Sequence, residues 1–378
     1  MESLEHIALP KLDLAGQRVV AAMSGGVDSS VCALLLKRSG ARVMGATMRL
    51  FGSDDIAGDD DFEEDSTCCS LADVDDARAV CRRLEIDHHT LNFRIDFAEK
   101  VMDPFCRSYL QGETPNPCID CNRYLKFDTL QKFRASREYD YVATGHYVRS
   151  AFNSDTGRYE LRVAADASKD QSYVLYSLSQ DQLAHTLFPL GDLAKTQVRA
   201  IAEAAGFENA QKAESQDICF VPDGDYLAFI ERHTGEVPQP GDIVDVEGRV
   251  LGKHHGLARY TIGQRKGIGI AASEPLYVCG KRLAENELVV GSRADTLITQ
   301  VEVSDVNFVC VEGFEGAVRA QAKIRYRQDA QPAQVVQTGA ATIKIAFDNP
   351  VAATAPGQAA VIYDGDRVLA GGTIVSCS

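Results

Sequence analysis

Apolar and polar positions follow one rhythm in the first half of this chain and another in the second. In the first half, short apolar runs alternate with stretches whose apolar residues recur at helical spacing. Residues 18–20 lead into AAMSGGVDSS (21–30) and then into the apolar run VCALLLKRSG, which predicts a strand, a tight glycine turn and a helix start. Residues 42–50 predict a second strand, Val74, Ala77, Val80, Cys81 and Leu84 recur as on one helix face, and residues 88–93 return to a strand. Helical stretches at 97–110 and 121–135 flank GETPNPCIDCN, YDYVATGH (139–146) reads as a strand, and 192–205 as a helix with Leu193, Val198, Ile201 and Ala202 on its apolar side. Such βαβ alternation implies an α/β fold, a parallel sheet with helices on both faces. Ligands of such sheets sit beyond the carboxyl ends of the strands, so the SGG loop and Gly145-His146, each following a strand, could meet at one pocket.

After Gly206 and KAESQDICFVPDGD that rhythm is lost. Gly and Pro punctuate residues 235–241, and beyond about residue 295 the chain is rich in Val, Ile and Thr with turn residues at short intervals. A C-terminal β-barrel preceded by a small central domain is expected. With 378 residues, two or three domains are the prior, and the change of pattern places them at 1–219, 220–295 and 296–378.

Composition changes this picture little: 45% hydrophobic and 25% charged residues describe an ordinary globular protein. No apolar run approaches the roughly 20 residues that span a bilayer, and MESLEHIALPKLDLAG lacks the basic start and apolar stretch of a signal peptide. A cytoplasmic protein without a membrane partner is expected. Its eleven cysteines lie scattered in a chain too large to need staples, so they should be free, catalytic or metal-bound. The net charge of −15 argues against a nucleic-acid partner, but its distribution is uneven. Residues 54–65 hold eight acids and no base, as a surface insertion would. Residues 249–282 hold seven Lys or Arg against Glu274 alone, either a polyanion site or a solvated basic face.

Chemistry concentrates in two places. In SGGVDSS, Gly25 and Gly26 let the backbone close around a ligand, Ser24 and Ser29 offer hydroxyls, and a helix start turns free N–H groups toward an anion. The loop has neither the Gly-Lys-Ser/Thr ending of a Walker loop nor the dinucleotide spacing; an ordinary Gly/Ser turn is the bland alternative. Cys118 and Cys121 form a C-x-x-C approached by Pro115 and Pro117, which suits a redox pair, half a metal site, or two unremarkable thiols. No second C-x-x-C exists to complete a zinc ribbon. Cys219, between Ile218 and Phe220, reads by physics alone as a buried thiol, and the adjacent Cys68 and Cys69 as structural.

SGGVDSS resembles the pyrophosphate loop of N-type ATP pyrophosphatases. Together with TPNPCIDCNRYLKF, ATGHYVR, KDQSYVLYSLS, FPLGDLAKTQVRAIAE, ESQDICFV, HHGLARYTIGQRKGIGI, AKIRYRQ and PGQAAVIY, in that order, it is similar to the tRNA-specific 2-thiouridylase family from about residue 17 to the C-terminus. The resemblance implies an adenine-nucleotide α-hydrolase-like domain, a central domain and a barrel. It also implies a reaction: ATP-dependent replacement of O2 of the tRNA wobble uridine by sulfur. Uracil O2 is a poor leaving group, so its adenylation turns it into departing AMP. By the family pattern, Ala22, Met23, Ser24, Gly25, Gly26, Val27, Asp28, Ser29, Met48 and Gly145 bind ATP, with Asp28 the expected magnesium ligand. The same pattern puts a persulfide on Cys219 and makes Cys121 its catalytic partner, able to release the sulfur or resolve the persulfide as a disulfide. It assigns Asn116, Pro117 and Cys118 to the target base, and His146, Lys169, Asp170, Gln171, Arg325, Tyr326 and Gln358 to tRNA. Lys323, Arg325 and Arg327 would alternate along a strand and face phosphates, or else form a salt-bridged exterior. The implied partners are the anticodon region of tRNA and a sulfur donor such as a cysteine desulfurase or a sulfur relay carrier.

Two features depart from the pattern. Many members carry Asp where this chain has Cys118, and a Trp after the strand ending at MRLF, whereas this chain has no Trp. Cys118, Cys121 and Cys219 could thus ligate a [4Fe-4S] cluster with one open iron and deliver sulfide from it. Two other readings are a ligase activating a different carbonyl, which leaves the cysteine pair unexplained, and a non-catalytic tRNA-binding or cluster-carrying protein.

Overall fold

The computed structural model describes residues 10, 12–52, 71–212 and 218–378. Two compact units emerge from the packing of the backbone. The first comprises residues 1–101, 118–225 and 366–368, the second residues 102–117, 226–365 and 369–378.

The first unit is built on a parallel sheet. Its strands are β1 (Arg18–Ala22), β2 (Arg42–Arg49), β3 (Asp87–Asn92), β4 (Tyr141–Ala143) and, in chain order after the hairpin β5 (Arg149–Asn153) and β6 (Arg158–Arg162), β7 (Thr186–Leu187). They lie in the order β3-β2-β1-β4-β7, and every neighbouring pair is parallel. Val19, Val20 and Ala21 of β1 are wholly buried, as a central strand covered on both faces requires. Helices α1 (Val27–Arg38), α2 (Leu71–Leu84) and α3 (Lys195–Ala204) pack in this unit. Apolar residues surround most of α1, and Val31, Cys32, Ala33, Leu34, Leu35 and Leu36 are buried, so α1 is a core helix and α2 is amphipathic. Order reverses between β1 and β4, which makes the carboxyl ends of these two strands the crevice of the sheet.

The alternation predicted from sequence is present, with ends that differ. The strand expected over 139–146 is three residues long, because Thr144, Gly145 and His146 leave the sheet to form the crevice loop. The helix expected over 121–135 starts earlier, as an α-turn at Pro117–Asp120, widens into π-type turns at Cys121–Thr129 and tightens again at Leu130–Ser136. Such turns mark functional positions more often than ordinary helix does.

The second unit holds an antiparallel-rich sheet of four strands and a closed barrel. The four are β8 (Gly241–Asp245), β9 (Val250–His254), β10 (Tyr277–Arg282) and β11 (Glu287–Gly291), in the order β10-β11-β8-β9. The barrel strands are β12 (Leu297–Phe308), β13 (Ala317–Lys323), β14 (Gln331–Gly339), β15 (Thr342–Ala352), β16 (Ala359–Asp364) and β17 (Arg367–Cys377). They run β12-β15-β14-β13-β16-β17, and β17 pairs back to β12, leaving no open edge. Inward positions alternate along β15, where Ile343 and Ile345 are buried between exposed neighbours. Lys323 ends β13, so Arg325 and Arg327 lie in the following turn and the expected strand-like alternation of these cations does not form.

The basic stretch 249–282 also changes character in three dimensions. Arg249 pairs with Asp245 and Glu247, Lys253 with Asp242, and Arg282 with Glu287. Burial pushes the Lys281 amine down to about 8. The cations left on the outside are Arg259, Arg265 and Lys266, in the loops between β9 and β10. The acidic stretch 54–65 and Cys68 and Cys69 lie outside the described residues.

Candidate active site

The SGGVDSS loop follows β1 and feeds α1 at the sheet crevice. Gly25 has φ +74°, and a Cβ there would stand 2.5 Å from the Asp73 carbonyl oxygen, so both backbone and space demand glycine. Ser29 Oγ accepts the Ser24 N–H at 3.2 Å and donates to the Gly26 carbonyl at 2.9 Å, which fixes the turn from inside. Asn209 donates its amide to the Gly25 carbonyl at 2.7 Å and to Ser30 Oγ at 2.9 Å, bracing the turn from behind. Gly26 caps α1 without a side-chain bond, leaving the first-turn N–H groups for a ligand.

The loop after β4 closes on this turn. A Cβ on Gly145 would lie 2.9 Å from the Asp28 carbonyl carbon and from Ser29 N, so only glycine lets the two loops touch. The meeting of SGG and Gly145 expected from sequence is therefore a direct backbone contact. Met48 is buried near the carboxyl end of β2, two residues beyond Ala46, which pairs with Ala22 at the end of β1. Ser24 is exposed, while Met23, Val27 and Ser29 are buried and support the turn.

Asp28 does not stand open to solvent. Lys195 Nζ lies 2.8 Å from Asp28 Oδ1 and 2.7 Å from Oδ2, and the Tyr147 hydroxyl donates to Oδ1 at 2.7 Å. Magnesium favours carboxylate oxygens that are free to enter an octahedron. Oδ1 here already holds the ammonium and the phenol, and Oδ2 the ammonium, so Asp28 does not fit a metal in this arrangement. Lys195 and Tyr147 are site residues that pattern reading missed. One signal was available: a lysine at the first position of a helix opposes the dipole and calls for an acid beside it.

His146 is buried, with Nδ1 2.8 Å from Thr144 Oγ1 and its ring 5.7 Å from that of Phe127. Burial, with help from Lys126, holds it neutral far below the ordinary histidine range. Asp170 accepts the N–H groups of Ala164 and Ser172 and the Ser172 hydroxyl, and Gln171 accepts the Tyr147 N–H at 2.9 Å. These groups thus shape the loop after β4. Lys169 lies on the same turn, its N–H bonded to the Asp166 carbonyl.

The candidate sulfur residues lie in the first unit. Cys118 is exposed, Cys121 is buried at the start of the π-type turns, and Cys219 is half-buried. Phe220, not Cys219, fills the core: its ring packs edge-on against Phe97 at 5.6 Å, and Phe97 meets Phe51 at 5.7 Å. The anchor beside it leaves the thiol at the surface of the core, which corrects the buried-thiol reading. Burial pushes the thiols of Cys81 and Cys106 up to about 12, away from thiolate chemistry. Glu214, Ser215, Gln216 and Asp217 lie outside the described residues. Among the described residues no three His, Cys, Asp or Glu are gathered to hold a metal ion.

In the second unit, Gln358 donates its amide to the Thr114 carbonyl at 2.6 Å, and Thr114 N–H is bonded to the Pro356 carbonyl at 3.0 Å. Gly357 packs so closely on Glu113 that a Cβ would stand 3.0 Å from the Glu113 Cβ. Residues 113–117, with Asn116 and Pro117, are thereby strapped to the barrel. Arg325 donates to the backbone carbonyls of Ile262, at 3.2 Å, and Ala353, while Tyr326 beside it is exposed.

Comparison with known proteins matches residues 17–223 to the tRNA methyl transferase HUP domain, 227–292 to the tRNA methyl transferase PRC-barrel domain and 298–374 to the aminomethyltransferase beta-barrel domain. The tRNA-specific 2-thiouridylase MnmA of Carboxydothermus hydrogenoformans is 48% identical over 365 residues, covering 96% of this chain and 99% of that protein. Its counterpart in Clostridioides difficile is 45% identical over 358 residues, covering 95% and 98%. A solved U34-tRNA thiolase NcsA from Methanococcus maripaludis, with its [4Fe-4S] cluster, covers 62% of this chain and 71% of that one at 15% identity and a TM-score of 0.35, too faint a likeness to carry an argument. The HUP match spans more than half of the sequence, the relatives are nearly half identical along almost all of it, and the chain belongs to the tRNA-specific 2-thiouridylase family.

Proposed function

We propose that this protein uses ATP to convert the wobble uridine of tRNA into 2-thiouridine. The observation that carries the reading is the crevice at β1 and β4, where an uncapped helix start and the Gly145 contact form a phosphate cradle in the same unit as Cys121 and Cys219. Uracil O2 attacks the α-phosphorus of ATP, pyrophosphate leaves into the SGG loop, and O2 becomes part of an adenylate. Magnesium accompanying the nucleotide would supply charge neutralisation for the pyrophosphate, and no step requires Asp28 to hold it.

A persulfide on Cys219 then attacks C2, and AMP departs with the original oxygen. The Cys121 thiolate attacks Cys219 Sγ, forming a Cys121–Cys219 disulfide and leaving the outer sulfur on C2. The sulfur is reduced from its persulfide state while two thiols are oxidised, so each turnover needs a thiol reductant and a fresh sulfur from a desulfurase or relay carrier. Disulfide formation requires Cα atoms roughly 4.4–6.8 Å apart, so the two cysteines must approach one another. No step is routed through iron.

The substrate is the anticodon region, whose bases unstack at modest cost. Asn116, Pro117 and Cys118 are assigned to the target base, and exposed Tyr326 and half-buried Lys169 to tRNA. His146, Asp170, Gln171, Arg325 and Gln358 act mainly by holding backbone in place. The proposal places the protein in the cytoplasm; among the described residues no helix is long and apolar enough to cross a membrane. The test is nucleoside mass spectrometry on tRNA incubated with the protein, ATP and a sulfur donor. 2-Thiouridine and AMP should form together with the wild-type chain, and neither thiolation-deficient variant, Cys219→Ala or Cys121→Ala, should yield 2-thiouridine. Thiolation without AMP formation would refute the adenylation route.

A further inference from the structure

The signature loop carries no cation of its own: residues 21–30 contain no Lys or Arg. Releasing pyrophosphate concentrates several negative charges there, and a helix start supplies only about half a positive charge. We propose that Lys195 is the cation that meets the departing pyrophosphate, and that Asp28 and Tyr147 position it. The proposal rests on the loop being an ATP site.

Three observations converge on Lys195. Its ammonium is within 2.8 Å of both carboxylate oxygens of Asp28, a residue of the loop itself, with side-chain exposures of only 10% and 30%. Tyr147 grips the same carboxylate through its hydroxyl, and the ammonium lies 5.7 Å from the centre of the Tyr147 ring. At the other end of the residue, Asp166 accepts the Lys195 N–H at 3.0 Å, fixing the first position of α3. A lysine there works against the helix dipole, so α3 gains nothing from the cation and the loop does.

The arrangement also explains Asp28. An acid in a phosphate loop repels its ligand unless it serves a cation, and the cation that it serves is Lys195. The partly buried Asp28 carboxylate lies in the first turn of α1 and holds the ammonium beside it, near the position where a bound anion takes its N–H bonds. When pyrophosphate arrives, the ammonium can bridge it to Asp28, as a compact charge on a flexible stem does.

Binding of inorganic pyrophosphate and of adenosine to the full chain, each measured calorimetrically, tests the proposal. Lys195→Met should weaken pyrophosphate binding about tenfold or more, as expected for loss of a charge-assisted contact, and leave adenosine within about twofold. Removing Lys195 alone leaves Asp28 uncompensated, so the double variant Asp28→Asn/Lys195→Met is the decisive arm. If it still binds pyrophosphate about tenfold more weakly than wild type, Lys195 acts on the ligand. If the double variant regains wild-type pyrophosphate affinity, Lys195 merely neutralises Asp28 and the proposal is wrong. Equal losses for adenosine and pyrophosphate would also overturn it, because the whole pocket would then have collapsed. A wild-type chain that binds neither ATP nor pyrophosphate would sink the ATP reading itself, a different outcome.

Discussion

Single residues decide how the crevice is built, and glycine does the sharpest work. At Gly145 there is no room for a methyl group, since the backbone of Asp28 and Ser29 stands 2.9 Å from where a Cβ would be. Gly145→Ala is expected to push the two loops apart, costing about 1–3 kcal/mol of stability and most pyrophosphate release. Thermal unfolding and a pyrophosphate assay measure the two effects, and a variant with wild-type turnover would show that the loops need not touch. Sequence made Gly25, Gly26 and Gly145 legible because a turn after a strand leaves a compositional trace. Tyr147 and Asn209 left none and Lys195 only its awkward place at a helix start, for they come from chain folding back onto the loop, with separations of 119 for Tyr147 to Asp28, 167 for Lys195 to Asp28 and 184 for Asn209 to Gly25. Cys219 shows the opposite error: a short apolar trio suggested burial, yet Phe220 took the core position and left the thiol half open.

At the scale of elements, the strap between the barrel and residues 113–117 changes how Gln358 is understood. Its amide is spent on the Thr114 carbonyl, and the hydroxyl of Thr114 is itself buried without a hydrogen-bond partner. Gln358→Ala should therefore cost about 1 kcal/mol of stability and lower the thiolation rate more than tRNA affinity. Filter binding and single-turnover kinetics separate the two; a variant losing affinity alone would make Gln358 a direct tRNA contact. The helical period found α1, α2 and α3, because long buried faces enforce it, and the barrel was found from a Val-, Ile- and Thr-rich stretch broken by turn residues at short intervals. Neither could find the wide turns at Cys121–Thr129, which disturb the hydrogen-bond ladder without altering the apolar spacing enough to be read. The hairpin β5–β6 is likewise half polar, its Glu160 buried against Arg162 and Arg367, so its signal resembled a loop.

Across the whole molecule, the buried His146 and the half-buried His88 link stability to acidity. Burial lowers His146 well below its ordinary value, with a further push from Lys126, and burial, Arg78 and His89 lower His88. Both rings resist protonation in the folded chain, whereas the unfolded chain binds protons as pH falls through about 6.5. Their contribution is complete above that pH and is lost progressively below it. The melting temperature should fall between about pH 7 and pH 5, and a His88→Gln/His146→Gln chain should show a shallower fall. A wild-type curve flat across that window would contradict the assignment. Net charge misled at this scale, since −15 argues against an RNA partner while the family acts on tRNA. What charge could not show was that acids neutralise much of the basic segment and leave Arg259, Arg265 and Lys266 outside.

The central claim is that one chain adenylates the uridine and delivers its sulfur through Cys219 and Cys121. Its most direct test is nucleoside mass spectrometry of tRNA from cells lacking this protein, with wild-type, Cys121→Ala, Cys219→Ala or Cys118→Ala chains restored. 2-Thiouridine should disappear in the deletion, return with the wild-type chain, stay absent with Cys121→Ala and Cys219→Ala, and return at least in part with Cys118→Ala. Unchanged 2-thiouridine in the deletion, or full restoration by Cys219→Ala, would contradict that claim.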